Sequence, residues 1–225
     1  YQGSPISHLM DVLNDARDIL QELGVHFESS GSEATAAAML SASINYPLRG
    51  AVTWKSVVGT NVAADALSNL ASSGVTGGAM VIVGEDYGEG SSIMQERTYA
   101  FAMKAQMWLL DPRPNLTSMV AMVEQGFRLS EASSTPVFYM MRIRECHVTG
   151  EFIAGDNVAP TYSNLNKVQP KREAEKIILP PNVYDQEQEK VASRWPAAVQ
   201  YISDNVLNEF FPGKYDEVGI ITCGG

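Results

Sequence analysis

The run Ala79-Met80-Val81-Ile82-Val83 is apolar at every position. A strand with one solvated face alternates apolar and polar residues, whereas an unbroken apolar run implies burial on both faces, the habit of parallel sheets covered by helices. The surrounding chain supplies such helices. Ser4 to Leu23 has apolar residues at helical spacing, with Ser4 as N-cap, Pro5 at the first helical position and Gly24 as stop. Val25 to Phe27 reads as a short strand, Ser32 to Ile44 as helix, Ala51 to Trp54 as strand, and Thr60 to Leu70 as a helix opened by Thr60-Asn61. Gln95 to Ala105 is helical, Met107 to Leu110 a strand, Asn115 to Ala132 a helix and Pro136 to Ile143 a strand. The alternation predicts an α/β fold, a mostly parallel doubly wound sheet with helices on both faces.

After about residue 150 the pattern changes. Residues 151–185 read as a linker or arm, because Ala154 to Pro181 is polar, proline-containing and without periodicity. Residues 186–214 form a helical segment with Val191, Trp195, Val199, Ile202, Val206, Leu207 and Phe210 on one side and Pro196 breaking or restarting it. Residues 215–225, with the run Val218-Gly219-Ile220-Ile221, look like the first strand of a following domain; with Tyr1 at the start, the chain reads as an excised fragment.

Composition narrows the function classes. The 225 residues are 45% hydrophobic and 19% charged, enough for one good-sized domain. With 16 basic and 26 acidic residues, a formal charge of -10 and no basic cluster longer than Lys171-Arg172, no nucleic-acid partner is expected. No apolar run approaches the ~20 residues needed to span a bilayer and no signal peptide is visible, so a soluble cytoplasmic protein without membrane contact is expected. The two cysteines, Cys146 and Cys223, are too few for an internal iron-sulfur cluster or thiolate zinc site, and the three histidines show no HxxxH pairing. No metal site within this chain is expected.

Glu33 is the principal candidate for chemistry. Gly31 supplies a bend and Ser32 an N-cap, which puts Glu33 in the first turn of an alanine-rich helix. There a carboxylate is favoured by free amides and the macrodipole, which is a sufficient structural role. The small residues after it, Ala34, Ala36, Ala37 and Ala38, would also let the helix approach a backbone or flat ligand closely. Ligands in open parallel sheets bind beyond the carboxyl ends of the strands. The turns expected there are Ser29 to Glu33, Lys55 to Asn61, Gly84 to Ser92 and Asp111 to Asn115. None is a phosphate cradle: Gly84 to Gly90 lacks the GxGxxG spacing and carries three carboxylates, and no GxxxxGK[ST] occurs. Cys146 and His147 are adjacent, so on a strand they would point to opposite faces and form no nucleophile pair.

Several motifs together resemble thiamine-diphosphate-dependent 2-oxoacid:ferredoxin oxidoreductases. Tyr1-Gln2-Gly3-Ser4-Pro5-Ile6-Ser7 looks like the opening of that family, and Ser32-Glu33-Ala34 falls where the family has its glutamate. Thr53-Trp54-Lys55, Asn61-Val62-Ala63-Ala64-Asp65, Gly74-Val75-Thr76-Gly77-Gly78 and Ser91-Ser92 resemble the pyrimidine-binding domain of the indolepyruvate type, over about residues 1–150. Departures include Ser32 for asparagine, Ala34 for lysine and Ser56 for histidine. The resemblance implies oxidative decarboxylation of an aryl 2-oxo acid to its acyl-CoA with ferredoxin as acceptor. It makes Glu33 the catalytic, cofactor-activating group, hydrogen-bonded to a ring nitrogen of the aminopyrimidine, with Ser56 and Asn61 on the cofactor side and Ser4 on the substrate carboxylate. For Ser4 and Asn61 a simple helix cap is the competing role. Magnesium, the diphosphate site, iron-sulfur clusters and coenzyme A would be held elsewhere, since Ala154-Gly155-Asp156-Asn157 lacks the second glycine of a GDG motif. Other domains or a partner subunit, ferredoxin, a 2-oxo acid and a homodimer are the implied partners. The same chemistry on pyruvate or another 2-oxo acid, and a non-catalytic scaffold of this fold, are the alternatives. The enzyme predicts a Glu33 carboxylate aimed into a cleft or dimer groove; a scaffold allows it to be salt-bridged or covered.

Overall fold

The computed structural model describes residues 1–86, 97–156, 169–170, 172–215 and 217–224. Strands β1 (Gly50–Lys55), β2 (Ala79–Glu85), β3 (Trp108–Leu110) and β4 (Val137–Arg142) form a wholly parallel four-stranded sheet in the order β1-β2-β4-β3. The helices are α1 (Ser7–Asp15), α2 (Arg17–Glu22), α3 (Glu33–Leu40), α4 (Ser56–Val62), α5 (Ala64–Ser73), α6 (Thr98–Ala105), α7 (Leu116–Ser133), α8 (Ile143–Cys146), α9 (Asn182–Glu189) and α10 (Trp195–Asp204). The expected α/β architecture with helices on both faces is the one observed.

Strand β2 is central and carries the apolar run, with Ala79, Met80, Val81 and Val83 all sealed from solvent. Successive residues feed opposite layers. Val81 and Val83, with Phe138 and Met140 of β4, pack under Ala36 and Ala37 of α3, Leu67 and Leu70 of α5 and Ala102 of α6. Met80, Val137 and Tyr139 pack on the other face against Leu129 of α7 and Ala198 of α10. The helix leaving β2 thus lies on one face and the helix leaving β3 on the other. The connections part around the carboxyl ends of β2 and β4, where an open parallel sheet receives its ligands.

Several local expectations fail for identifiable reasons. Val25 to Phe27 forms no strand: Val25 is exposed and no neighbouring strand pairs with it. The first helix starts at Ser7 behind Ile6, without a side-chain cap, so Ser4 is not an N-cap and Pro5 is not its first residue; it is interrupted at Ala16. The expected turn from Lys55 to Asn61 is helix α4, and Asn61 lies inside it instead of opening the next helix. Pro196 restarts the helical segment, one of the two outcomes expected of it: a π-helical turn at Lys190–Arg194 runs into α10, with Pro196 in the first turn of α10. The helical segment also faces differently: Val191, Trp195, Val199, Val206 and Phe210 are exposed, while Gln186, Arg194 and Ala198 are buried. Residues 217–224 are irregular and exposed. Ser91-Ser92, the loop after Asp86, the start of the helix expected from Gln95 and much of the expected linker lie outside the described residues.

Candidate functional site at the carboxyl edge of the sheet

Helix α3 is set by its cap. Ser32 is extended, its Oγ accepts the Thr35 N–H at 3.2 Å and its own N–H donates to Thr35 Oγ1 at 3.1 Å, a capping box. Alanines let α3 lie close on the sheet, with Ala37 fully buried. At its far end Leu40 sits where a Cβ on Gly50 would come within 2.9 Å of Cδ1. The helix therefore runs antiparallel to β1, and its first residue, Glu33, stands at the carboxyl edge of the sheet.

Glu33 is only 5% exposed, yet its carboxylate accepts no hydrogen bond and forms no ion pair among the described residues. It is covered but unbridged. The Tyr1 nitrogen donates to the Thr53 carbonyl at 3.2 Å, which lays the first residues along β1. An open cleft lined by Tyr1, Gln2, Met10, Ser29 and Ser30 lies along this side, between the N-terminal segment and the turn leading into α3.

Around the end of β1 the chain gathers further polar groups. Ser56, the first residue of α4, is 1% exposed, and its hydroxyl has no partner among the described residues; the same is true of buried Thr53. Lys55 Nζ donates to the Ser4 carbonyl at 2.7 Å and to Asp86 Oδ2 at 2.9 Å. The segment carrying Ser4 lies directly on the strand ends. A Cβ on Gly3 would meet Lys55 Cβ at 2.6 Å, and one on Gly84 would meet Ile6 Cβ at 2.9 Å, so only glycines permit this approach. Ser4, Glu33 and Ser56 thus surround the carboxyl end of β1. Asn61 does not join them: it is exposed near the far end of α4, five residues beyond Ser56 and so about 140° round the helix.

The ends of β2 and β4 carry three groups that the sequence analysis did not single out. Glu85, fully buried, accepts the Thr98 N–H at 3.1 Å and 3.3 Å and so caps the start of α6. Asp86 receives Lys55. Glu145 is 2% exposed: burial raises its pKa to about 7, Asp111 adds to the rise, and the Arg142 N–H, donated to Oε2 at 2.6 Å, opposes it. Burial likewise pushes the Cys146 thiol up to about 11, so it is no reactive thiolate. Arg142 also pairs with Asp111 at 2.6 Å. The available sequence signal was position alone, since Lys55 and Glu85 each end an apolar strand. Among the described residues no three His, Cys, Asp or Glu side chains gather as metal ligands, and no helix is long and apolar enough to cross a membrane.

No protein-family model matches the chain. Among curated proteins it is similar to the indolepyruvate oxidoreductase subunit IorA of Methanothermobacter thermautotrophicus, 26% identical over 226 residues, and to that of Methanothermobacter marburgensis, 27% identical over 225 residues. Each alignment covers 100% of this chain and 35% of the relative. IorA of Pyrococcus abyssi is 30% identical over 156 residues, which is 69% of this chain and 23% of that protein. The chain spans about a third of the length of the relatives it matches throughout.

Proposed function

Because this chain is homologous along its whole length to a segment of the indolepyruvate oxidoreductase subunit IorA, we propose that it is the pyrimidine-binding part of a thiamine-diphosphate-dependent 2-oxoacid:ferredoxin oxidoreductase acting on aryl 2-oxo acids such as indolepyruvate. The domain comprises about residues 1–150. The observation that carries the reading is the Glu33 carboxylate, buried at the carboxyl edge of the sheet with no donor among the described residues. The Glu33 side chain is almost wholly covered while its carboxylate keeps its acceptor positions for a donor that a ligand brings. The aminopyrimidine ring offers such a donor once its ring nitrogen carries a proton, and the hydroxyl of Ser56 beside the same strand end, without a partner among the described residues, is suited to a further polar contact.

When bound, thiamine diphosphate supplies a carbon nucleophile and an electron sink for decarboxylation of a 2-oxo acid. This chain's own part is to accept a hydrogen bond at Glu33 from a ring nitrogen and hold the proton there. Coverage of Glu33 strengthens that bond by excluding water. Ser4, on the segment laid over β1, presents its hydroxyl to the substrate carboxylate. Asn61 reaches outward to whatever another domain or subunit brings. Magnesium, the diphosphate site, iron-sulfur clusters, coenzyme A and the ferredoxin contact are assigned to the rest of the enzyme, with a homodimer completing the site. The test is oxidation of indolepyruvate by the full-length subunit in its holoenzyme, with Glu33→Gln beside it. Loss of roughly 100-fold or more in turnover is expected. Equal turnover in the variant would remove the catalytic role of Glu33, and no turnover in the native holoenzyme would point to the alternative, a scaffold domain of this fold.

A further inference from the structure

We propose that Lys55 is a positioning residue that sets the specificity of the site by clamping the Ser4-bearing segment to the carboxyl edge of the sheet. Lys55 is the last residue of β1 and its side chain is 16% exposed, unusually covered for lysine. Its ammonium joins two things that sequence separates: the Ser4 carbonyl at 2.7 Å and the fully buried Asp86 carboxylate, beyond β2, at 2.9 Å. Asp86 fixes the ammonium, and the ammonium fixes Ser4. The fit is tight on both sides, because Gly3 leaves no space for a Cβ against Lys55 and Gly84 leaves none against Pro5 and Ile6.

The segment is also held on either side of Ser4, by the Tyr1 nitrogen donating to the Thr53 carbonyl at 3.2 Å, by Gln2 Nε2 donating to Asp11 at 2.8 Å and by buried Ile6. Exposed Ser4 precedes the first helix by three residues, and within the segment the backbone is tied by the Ile6 N–H to the Gly3 carbonyl at 3.0 Å. The bond from Lys55 to the Ser4 carbonyl is charge-assisted, roughly twice as strong as a neutral one, and acts on the backbone of Ser4 itself. Only the ammonium does this: methionine keeps the length of the side chain without a donor, and arginine keeps the charge with a different shape. The inference rests on the proposed function, in which Ser4 meets the substrate carboxylate. Positioning acts on substrate binding more than on the chemical step, so removing the clamp raises KM and leaves kcat nearly unchanged.

The experiment compares Lys55→Met, Lys55→Arg, Ser4→Ala and the Lys55→Met/Ser4→Ala pair in the full-length holoenzyme. It measures kcat and KM for indolepyruvate, together with amide exchange of residues 2–6. The expected result is a KM about tenfold higher in Lys55→Met with kcat within twofold, partial recovery in Lys55→Arg, and little added effect of Lys55→Met once Ser4 is alanine. Faster exchange of residues 2–6 is expected in Lys55→Met. An unchanged KM, or effects that add fully in the double variant, would overturn the role of Lys55 while leaving the function standing, provided Glu33→Gln is inactive. If the native holoenzyme oxidises no 2-oxo acid, the functional reading and the specificity role both fall. Exchange then decides the clamp alone, and unchanged protection of residues 2–6 in Lys55→Met overturns it.

Discussion

The buried hydroxyls at the two ends of the sheet behave differently. Towards the amino ends of the strands each is used. Ser130 Oγ accepts the Ala79 N–H at 2.9 Å, Ser133 Oγ donates to the Leu129 carbonyl at 2.7 Å, Thr135 Oγ1 to Ser133 at 2.9 Å, and Ser73 Oγ to Lys176 at 2.9 Å. At the carboxyl end the hydroxyls of Thr53, Ser56 and Thr98 are equally buried and have no partner among the described residues, and one oxygen of Glu145 shares that condition. A folded chain seldom leaves such groups idle, since each costs about 1–3 kcal/mol. The contrast is one of hydroxyls and has a counterexample in Thr60 of α4, which accepts the Trp54 N–H at 3.2 Å, while three neighbouring hydroxyls stay available to something outside the described chain.

The contrast can be broken most forcefully at the amino end. Arg194 is 3% exposed and donates to the carbonyls of Ala71, Ser72 and Gln186 at 3.0, 3.0 and 3.1 Å, fastening the helices α9 and α10 to the last turn of α5. Arg194→Ala strands three carbonyls and is expected to cost about 3 kcal/mol or more in chemical denaturation. A loss under about 1 kcal/mol would mean that these contacts do not hold the segment.

Glu145 gives the next largest effect, and its sign is specific. Its folded pKa, about 7, lies above the ordinary 4.5 of a glutamate, so its contribution to stability is fully present below about pH 4.5 and is lost as pH rises through 7. Glu145→Gln keeps an acceptor for the Arg142 N–H without the buried charge. The variant should gain about 2 kcal/mol more at pH 8 than at pH 5, read from unfolding curves at the two values. A gain that does not change with pH would contradict the assignment.

The smallest effects sharpen the comparison directly. Ser130→Ala should lose about 1–2 kcal/mol, because the Ala79 N–H is left buried and unpaired. Ser56→Ala should change stability by less than about 0.5 kcal/mol or raise it slightly, because nothing in the described chain uses its hydroxyl. Equal losses in the two variants would erase the distinction between the ends of the sheet.

How much of this the sequence disclosed follows from the range of the forces involved. The run Ala79 to Val83 announced a central parallel strand, since burial on both faces leaves no polar position in it. Ser32 announced the start of α3, since a capping box is local. Helix α4 was missed because Gly59 and Asn61 weaken its local signal, while packing against Trp54 decides it: a Cβ on Gly59 would lie 2.3 Å from the indole. Arg194 was missed because two of its three carbonyl partners lie more than 120 residues away. In the site, Glu33 could be found from its place in the first turn and from the family resemblance. Lys55 and Asp86 could not be paired from sequence, because their bond joins the ends of two strands whose register only the folded sheet sets.

The central claim is that Glu33 serves a ring nitrogen of thiamine diphosphate. Its most direct measurement is the rate of proton exchange at the reactive thiazolium carbon of the cofactor bound to the full-length enzyme, by acid quench and proton NMR. The account predicts exchange slower by roughly 100-fold or more in Glu33→Gln, with the cofactor still bound. Exchange at the native rate in that variant would contradict it.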